Sequence, residues 1–176
     1  MALLAVLIIY NIDYLWLFGG LYFYGDIITK YSRAYDIDPL LSAALIREES
    51  RFFKGAVSSR GAIGLTQIMA PTAYEISDKL GMKIENYGDL FKPENNVKLG
   101  LYYYSMLFRE FDSNIVFALA AYNAGMGKVK KFLSGGVTPD INDFPYRETK
   151  NFVKRVLKNY RRLQIADKIF NMSGSF

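Results

Sequence analysis

Residues 45–73 read LIREESRFFKGAVSSRGAIGLTQIMAPTA. The stretch opens as an apolar helical run that carries two adjacent acids, Glu48 and Glu49, and then loses its helical period. From Lys54 to Gln67 it consists largely of Gly, Ser and other short residues, which predicts a loop or a small hairpin. Pro71 and Thr72 then open a helix that Gly81 closes. The chemical question is whether either acid does work. At about 100° per residue, Leu41, Ala44, Leu45, Glu48 and Glu49 share one broad sector of the helix, whereas Arg47 and Ser50 lie elsewhere. Both acids therefore lean toward the apolar side, and spacing does not separate them.

Working outward, Asp26–Ser50 reads as two helices, with Asp38 as the N-cap and Pro39 at the first position of the second. A further helix is predicted from Pro93 through Phe111, with Leu99, Tyr102, Tyr103, Met106 and Leu107 as its buried side. Ser113 and Asn114 can cap the next, IVFALAAYNAG, which Gly125 ends. A last long helix begins near Pro145, after the one clear long loop, Ser134 to Asp143. The pattern predicts a single α+β domain, predominantly α-helical, with one small Gly-rich hairpin region, as in lysozyme-like folds. Its boundaries are taken as 25–176, preceded by an apolar segment, 1–24.

Composition narrows the chemistry. The chain has no His and no Cys, so Ser-His-Asp triads, Cys-His nucleophiles, thiolate zinc sites and imidazole metal ligands are excluded within it. Acid–base work falls to Asp, Glu, Lys or Tyr, with carboxylates first. No metal and no cofactor is expected. Aromatics make up 16% of the residues, enough to line a groove as well as a core. The net charge of +5 is concentrated late, at Lys128, Lys130, Lys131, Lys150, Lys154, Arg155, Lys158, Arg161 and Arg162. Nucleic acid, an acidic membrane face and an anionic wall polymer would each satisfy it, as would an ordinary solvated basic face.

The N-terminus is apolar from Ala2 to Tyr24, is broken by Asn11 and Asp13, and holds no Lys or Arg before Lys30. It is similar to an export or anchor segment, although a basic leading region is missing and an Asp inside a membrane span costs about 2.5–3.5 kcal/mol. The competing expectation is a helix buried in, or docked on, the domain.

Three ordered blocks carry a resemblance. Glu49-Ser50-Arg51-Phe52 is followed by Ala56-x-Ser58-x-x-Gly61-Ala62-x-Gly64-Leu65-x-Gln67-Ile68-Met69 and Pro71-x-Ala73. Then come Ala120-Ala121-Tyr122-Asn123-Ala124-Gly125 and Pro145-x-x-Glu148-Thr149-x-x-Phe152-Val153. Together they resemble the signature of the soluble lytic transglycosylases, enzymes that cut the glycan strands of peptidoglycan. The resemblance implies that the catalytic acid is the Glu immediately before Ser, here Glu49. It also implies that Ser58, Gln67, Met69, Tyr122, Asn123 and Glu148 line the substrate cleft. Glu48 is left as a helix residue pairing along its own surface. From the residues alone, Met69 can equally be core, Asn123 a cap or turn residue, and Glu148 an acid favoured by the dipole of its helix.

Glycosidic cleavage passes through an oxocarbenium-like state in which a protonated carboxylic acid delivers its proton to the leaving oxygen. The family resemblance implies that no second carboxylate is needed, because the 2-acetamido group of N-acetylmuramic acid assists and the sugar's own C6 hydroxyl closes a 1,6-anhydro ring. Burial among Leu45, Ile46 and Phe52 would raise the pKa of Glu49. Peptidoglycan strands in the cell envelope are the expected partner, with possible membrane association through the N-terminus and no nucleic acid. Three positions depart from the family pattern: Thr66 where Met is common, Met126 where Pro is frequent, and Phe152 where Tyr is usual, which removes a phenol from the expected cleft floor. Competing readings are a hydrolytic muramidase on the same fold, a non-catalytic glycan-binding module, and a nucleic-acid binder using the basic last helix.

Overall fold

The computed structural model describes residues 19–135 and 140–170. Residues 19–34 form helix α1, followed by α2 (Pro39–Ser50), a hairpin of strands β1 (Ala62–Ile63) and β2 (Ile68–Met69), and α3 (Ala70–Lys79). Next come α4 (Pro93–Glu110), α5 (Ile115–Ala124), α6 (Met126–Leu133) and α7 (Arg147–Phe170). The α+β, predominantly helical architecture is the expected one. The sheet is minimal: Ala62 faces Met69 and Ile63 faces Ile68 in one antiparallel pair.

Helix α2 is the axis. Asp38 accepts the Leu40 amide at 2.8 Å and Pro39 opens the helix, as the sequence predicts. Every residue from Leu40 to Ile46 is buried, because neighbours cover the helix all round and not along one stripe. On one flank α1 runs antiparallel to it, with Ser32 Oγ 2.7 Å from Ser42 Oγ and Gly20 set tightly against the Phe52 ring. On the other flank lies α7, also antiparallel, where Arg155 Nε donates to Glu48 and the Tyr160 hydroxyl donates to Asp38, each at 2.5 Å. The helix stops abruptly after Ser50: Arg51 (φ 52°) and Phe52 (φ 62°) are both left-handed. That conformation costs roughly 1–2 kcal/mol for each residue with a Cβ. It swings the chain sideways directly after the acid pair and buries Phe52.

Helix α4 differs from its prediction. Leu99 and Leu107 are buried, but Tyr102, Tyr103 and Met106 are only half-buried, and Val97, Leu101 and Tyr104 are the buried residues instead. The helix is a partition between two apolar clusters. Val97, Leu101, Tyr104 and Leu107 join the main core around α2, whereas Leu99 joins a smaller core under the hairpin, made with Ile63, Ile68, Ala73, Ile76 and Leu90. A helix wedged between two cores has no single apolar stripe to read.

Asn114 caps α5 by accepting the Val116 and Phe117 amides. Gly125 (φ 94°) ends it and starts α6, a helix missing from the sequence-based expectation, although Val129, Phe132 and Leu133 have helical spacing. Of the apolar segment 1–24, residues 1–18 lie outside the described residues, and 19–24 are the opening turns of α1, with Leu21 buried. The predicted loop, Ser134 to Asp143, contains a short 3-10 turn, Ile141–Asp143, capped by Asp140, and its residues 136–139 also lie outside the described set.

Candidate functional site

Glu49 is the penultimate residue of α2, half-buried, and its carboxyl has no hydrogen-bond partner among the described residues. Burial raises its pKa to about 8, and the charge of neighbouring Glu48 adds to the rise. Glu48 behaves differently. It pairs across helices with Arg155 of α7, not along its own helix as expected. The two acids differ in environment: Glu48 is paired with a cation, and Glu49 has no such partner among the described residues.

The chain segment facing Glu49 is pinned from three sides. Ser50 Oγ donates to the Leu65 carbonyl at 2.8 Å, joining the end of α2 to the hairpin turn. The Tyr122 hydroxyl, from α5, donates to the Thr66 carbonyl at 2.7 Å. Burial and the adjacent Glu49 push the Tyr122 phenol well above its ordinary pKa, so it remains a donor. From below, Asn96 of α4 accepts from the Thr66 amide (2.8 Å) and hydroxyl (2.8 Å) and donates to the Ile63 and Leu90 carbonyls, both at 2.9 Å. Both amide protons and the amide oxygen of this fully buried side chain are used. Gly64 (φ 70°) belongs to the same clamp, since a Cβ there would lie 2.4 Å from Asn96 Nδ2. Asn96 is absent from the sequence-based site. No local sequence pattern marks it, because its partners lie in the hairpin and at Leu90.

The remaining expected residues have the following surroundings. Gln67, left-handed at φ 48°, donates both amide protons to loop carbonyls, Gly64 at 3.0 Å and Ala56 at 3.2 Å, which leaves its Oε1 as an acceptor. Ser58 Oγ accepts the Ala62 and Arg60 amides, leaving its proton to donate. Met69 is 41% exposed on β2 and is not a core residue. Asn123 accepts from Thr149 Oγ1 at 2.8 Å, so it ties α5 to the start of α7 through its amide oxygen and not its NH₂. Glu148, in the first turn of α7, is exposed and reaches Arg60 of the hairpin at 3.6 Å. These contacts link the elements in a circuit: α2 to hairpin, hairpin to α5, α5 to α7, and α7 back to the hairpin tip. The Arg60–Glu148 link is its weakest, long and solvated. Arg60→Ala is expected to change stability by less than about 1 kcal/mol, as measured by denaturant unfolding.

The three departures are accounted for individually. Thr66 is buried and bonded to Asn96. Phe152 packs in the main core at 4% exposure. Met126 opens α6 on the surface. Much of the late basic charge is also engaged: Lys130 pairs with Glu110, Lys128 lies 4.7 Å from the centre of the Tyr146 ring, and Lys150 donates to the Asn142 carbonyl.

The family profile described as the transglycosylase SLT domain matches residues 26–144. The chain belongs to the transglycosylase SLT domain family. It is 35% identical over 145 residues to the soluble lytic murein transglycosylase of Salmonella typhimurium, covering 76% of this chain and 22% of that one. It is 30% identical over 169 residues to the membrane-bound lytic murein transglycosylase C of Sodalis glossinidius, covering 79% of this chain and 47% of the relative. Among solved structures, this SLT domain superposes on an inactive glutamate-to-glutamine mutant of lytic transglycosylase Slt from Pseudomonas aeruginosa. The TM-score is 0.75 at 31% identity, over 83% of this chain and 24% of that one. The 70-kDa soluble lytic transglycosylase of Escherichia coli gives a TM-score of 0.74 at 32% identity, over 80% of this chain and 24% of that one. The SLT domain chain thus spans about a quarter of its soluble relatives and about half of the membrane-bound one. The profile match ends at residue 144, so α7, which supplies Glu148, Thr149 and Arg155 to the site and its surroundings, lies beyond it.

Proposed function

We propose that the chain is a lytic transglycosylase that cleaves the β-1,4 bond between N-acetylmuramic acid and N-acetylglucosamine in peptidoglycan, with Glu49 as its single catalytic acid. The observation that carries this reading is the unpaired carboxyl of Glu49, raised to about pKa 8 by burial, with the Tyr122 phenol close enough to feel its charge. Among the described residues Glu48 is the one other carboxylate that acts on it, and Glu48 is paired with Arg155. A glutamate-to-glutamine mutant of a structural relative is inactive, which supports a glutamate as the essential acid.

At neutral pH Glu49 is mostly protonated. Its proton goes to the glycosidic oxygen as the C1–O bond breaks, and the electron pair of that bond leaves with the N-acetylglucosamine O4. The acetamido oxygen of N-acetylmuramic acid supports the cationic C1. The Glu49 carboxylate then takes the C6 hydroxyl proton while O6 bonds to C1, which regenerates the acid and closes the 1,6-anhydro ring. Gln67 Oε1, the Ser58 hydroxyl and the Asn123 amide supply one acceptor and two donors for sugar amide and hydroxyl groups. Tyr122 holds the Thr66 carbonyl beside the acid, while Met69 and Glu148 form the outer walls. A substrate in the envelope fits the apolar N-terminal segment 1–24, read as an export or anchor segment ahead of the catalytic domain 25–176.

Digestion of purified peptidoglycan, followed by mass analysis, tests the reaction. Products should end in 1,6-anhydro-N-acetylmuramic acid, lighter by one water than a hydrolysed end and inert to borohydride. Reducing ends as the main product would replace this reading with a hydrolytic muramidase.

The acid must be protonated, so activity should fall as pH rises through about 8. In Glu48→Gln the neighbouring charge is removed and the pKa of Glu49 drops. That variant should keep most activity near neutral pH, with the alkaline limb of kcat/KM moved to lower pH. An unmoved limb would show that Glu48 does not act on the acid.

A further inference from the structure

Among the most exposed large apolar side chains described are Tyr22 at 83%, Phe23 at 75% and Phe53 at 63%. Tyr22 and Phe23 stand edge to face in the second turn of α1, with ring centres 5.3 Å apart. Phe53 follows Phe52, whose ring lies against Gly20 of the same helix, so all three aromatics belong to one end of the molecule. Arg51 and Lys54, both exposed, flank Phe53. Glu49 lies only three residues before Phe52 in this corner. Asp26, exposed one turn further along α1, marks the limit of the face.

We infer that this face lies on an anionic lipid surface, with the aromatics at the depth of the headgroups and Arg51 and Lys54 against lipid phosphates. Three observations select this occupant. The sequence leading into α1 is apolar from Ala2 through Phe18 except for Asn11 and Asp13, so the chain meets the domain at the aromatic corner. Tyr is enriched at membrane–water interfaces, where its ring and its hydroxyl each find a suitable medium. Arg and Lys near an anionic leaflet are attracted to it, whereas a second copy of the same face would set like charges against like. No helix of the described residues is long and apolar enough to cross a membrane. The consequence is location: the domain is held close to the bilayer and works on the glycan within reach of it. This extends the envelope reading of residues 1–24 but does not depend on the cleavage chemistry.

The absence of Cys allows a clean test on the full chain. An environment-sensitive fluorophore is attached in turn to Phe53→Cys, Phe23→Cys and Ile165→Cys. The last is exposed and lies beyond Tyr160, at the Asp38 end of α2. With vesicles of phosphatidylcholine and phosphatidylglycerol, emission at positions 53 and 23 should move to shorter wavelength while position 165 stays water-like. The triple variant Tyr22→Ser, Phe23→Ser, Phe53→Ser should bind these vesicles at least about tenfold more weakly. A water-like signal at 53 on a chain that floats with vesicles overturns the inference and assigns binding to the preceding segment alone. A shift that grows with protein concentration without vesicles overturns it in favour of self-association. Failure to float at all overturns both this face and the anchor reading, while the product assay still reports independently on cleavage.

Discussion

Glu49→Gln should lower the rate of glycan cleavage by about a hundredfold to ten-thousandfold, the range expected when a general acid is lost. The amide fills the same volume on α2 but cannot deliver a proton to the leaving oxygen, nor take one from the C6 hydroxyl, so both steps lose their catalyst. Substrate binding should change little, because the polar groups proposed to hold sugar belong to Ser58, Gln67 and Asn123. The loss should therefore appear in kcat with KM nearly unchanged. An active Glu49→Gln beside a dead Glu48→Gln would reverse the assignment.

The same substitution should stabilise the fold at alkaline pH. The carboxyl holds its proton to about pH 8 when folded, whereas a free glutamate releases it near 4.5. Between these values the folded chain binds more protons than the unfolded one. Stability contributed by the neutral acid is complete below about 4.5 and declines as pH rises to about 8. Gln has no proton to lose, so its unfolding midpoint should escape that decline. After discounting for partial exposure, the gain at pH 8 to 9 is about 1–3 kcal/mol. Denaturant unfolding of both proteins across pH measures it, and parallel curves would mean that Glu49 is not held in a low-dielectric site. A gain in stability bought by loss of the acid is what a functional strain predicts.

How far the residues themselves revealed this site follows from the kind of signal each carries. Asp38, Pro39 and Asn114 were legible because capping and helix-start chemistry is local, and the structure uses all three in that way. The hairpin was legible from its glycines. The choice between Glu48 and Glu49 was not, since it depends on Arg155, more than a hundred residues away in sequence and adjacent only after α7 folds back on α2. The buried side of α4 misled because two cores share that helix. Asn96 stayed hidden because its four partners come from the hairpin turn and from Leu90, and no local pattern announces them.

That hidden residue supports the second large effect. Asn96→Ala should destabilise the domain by about 3 kcal/mol or more, because it strands the Thr66 amide and the Ile63 and Leu90 carbonyls in a dry interior. Each buried polar group left unpaired costs about 1–3 kcal/mol. Asn96→Asp tests the direction of the bonds: a carboxylate can still accept from Thr66 but cannot donate to the two carbonyls, and it places a charge among them, so it should do no better than Ala. Activity should fall under conditions where the variant is still folded, because the clamp also fixes the Thr66 carbonyl that Tyr122 grips beside Glu49. Hydrogen exchange should quicken at the amides of residues 62–69 while those of α2 and α7 remain protected. Tyr122→Phe separates the two roles, since it releases the Thr66 carbonyl from above while leaving Asn96 intact below. It should reduce cleavage with a much smaller loss of stability. An Asn96→Ala chain with an unchanged unfolding midpoint would mean that the hairpin holds its shape without the clamp, and the positioning of Glu49's opposite wall would then rest on Ser50 and Tyr122 alone.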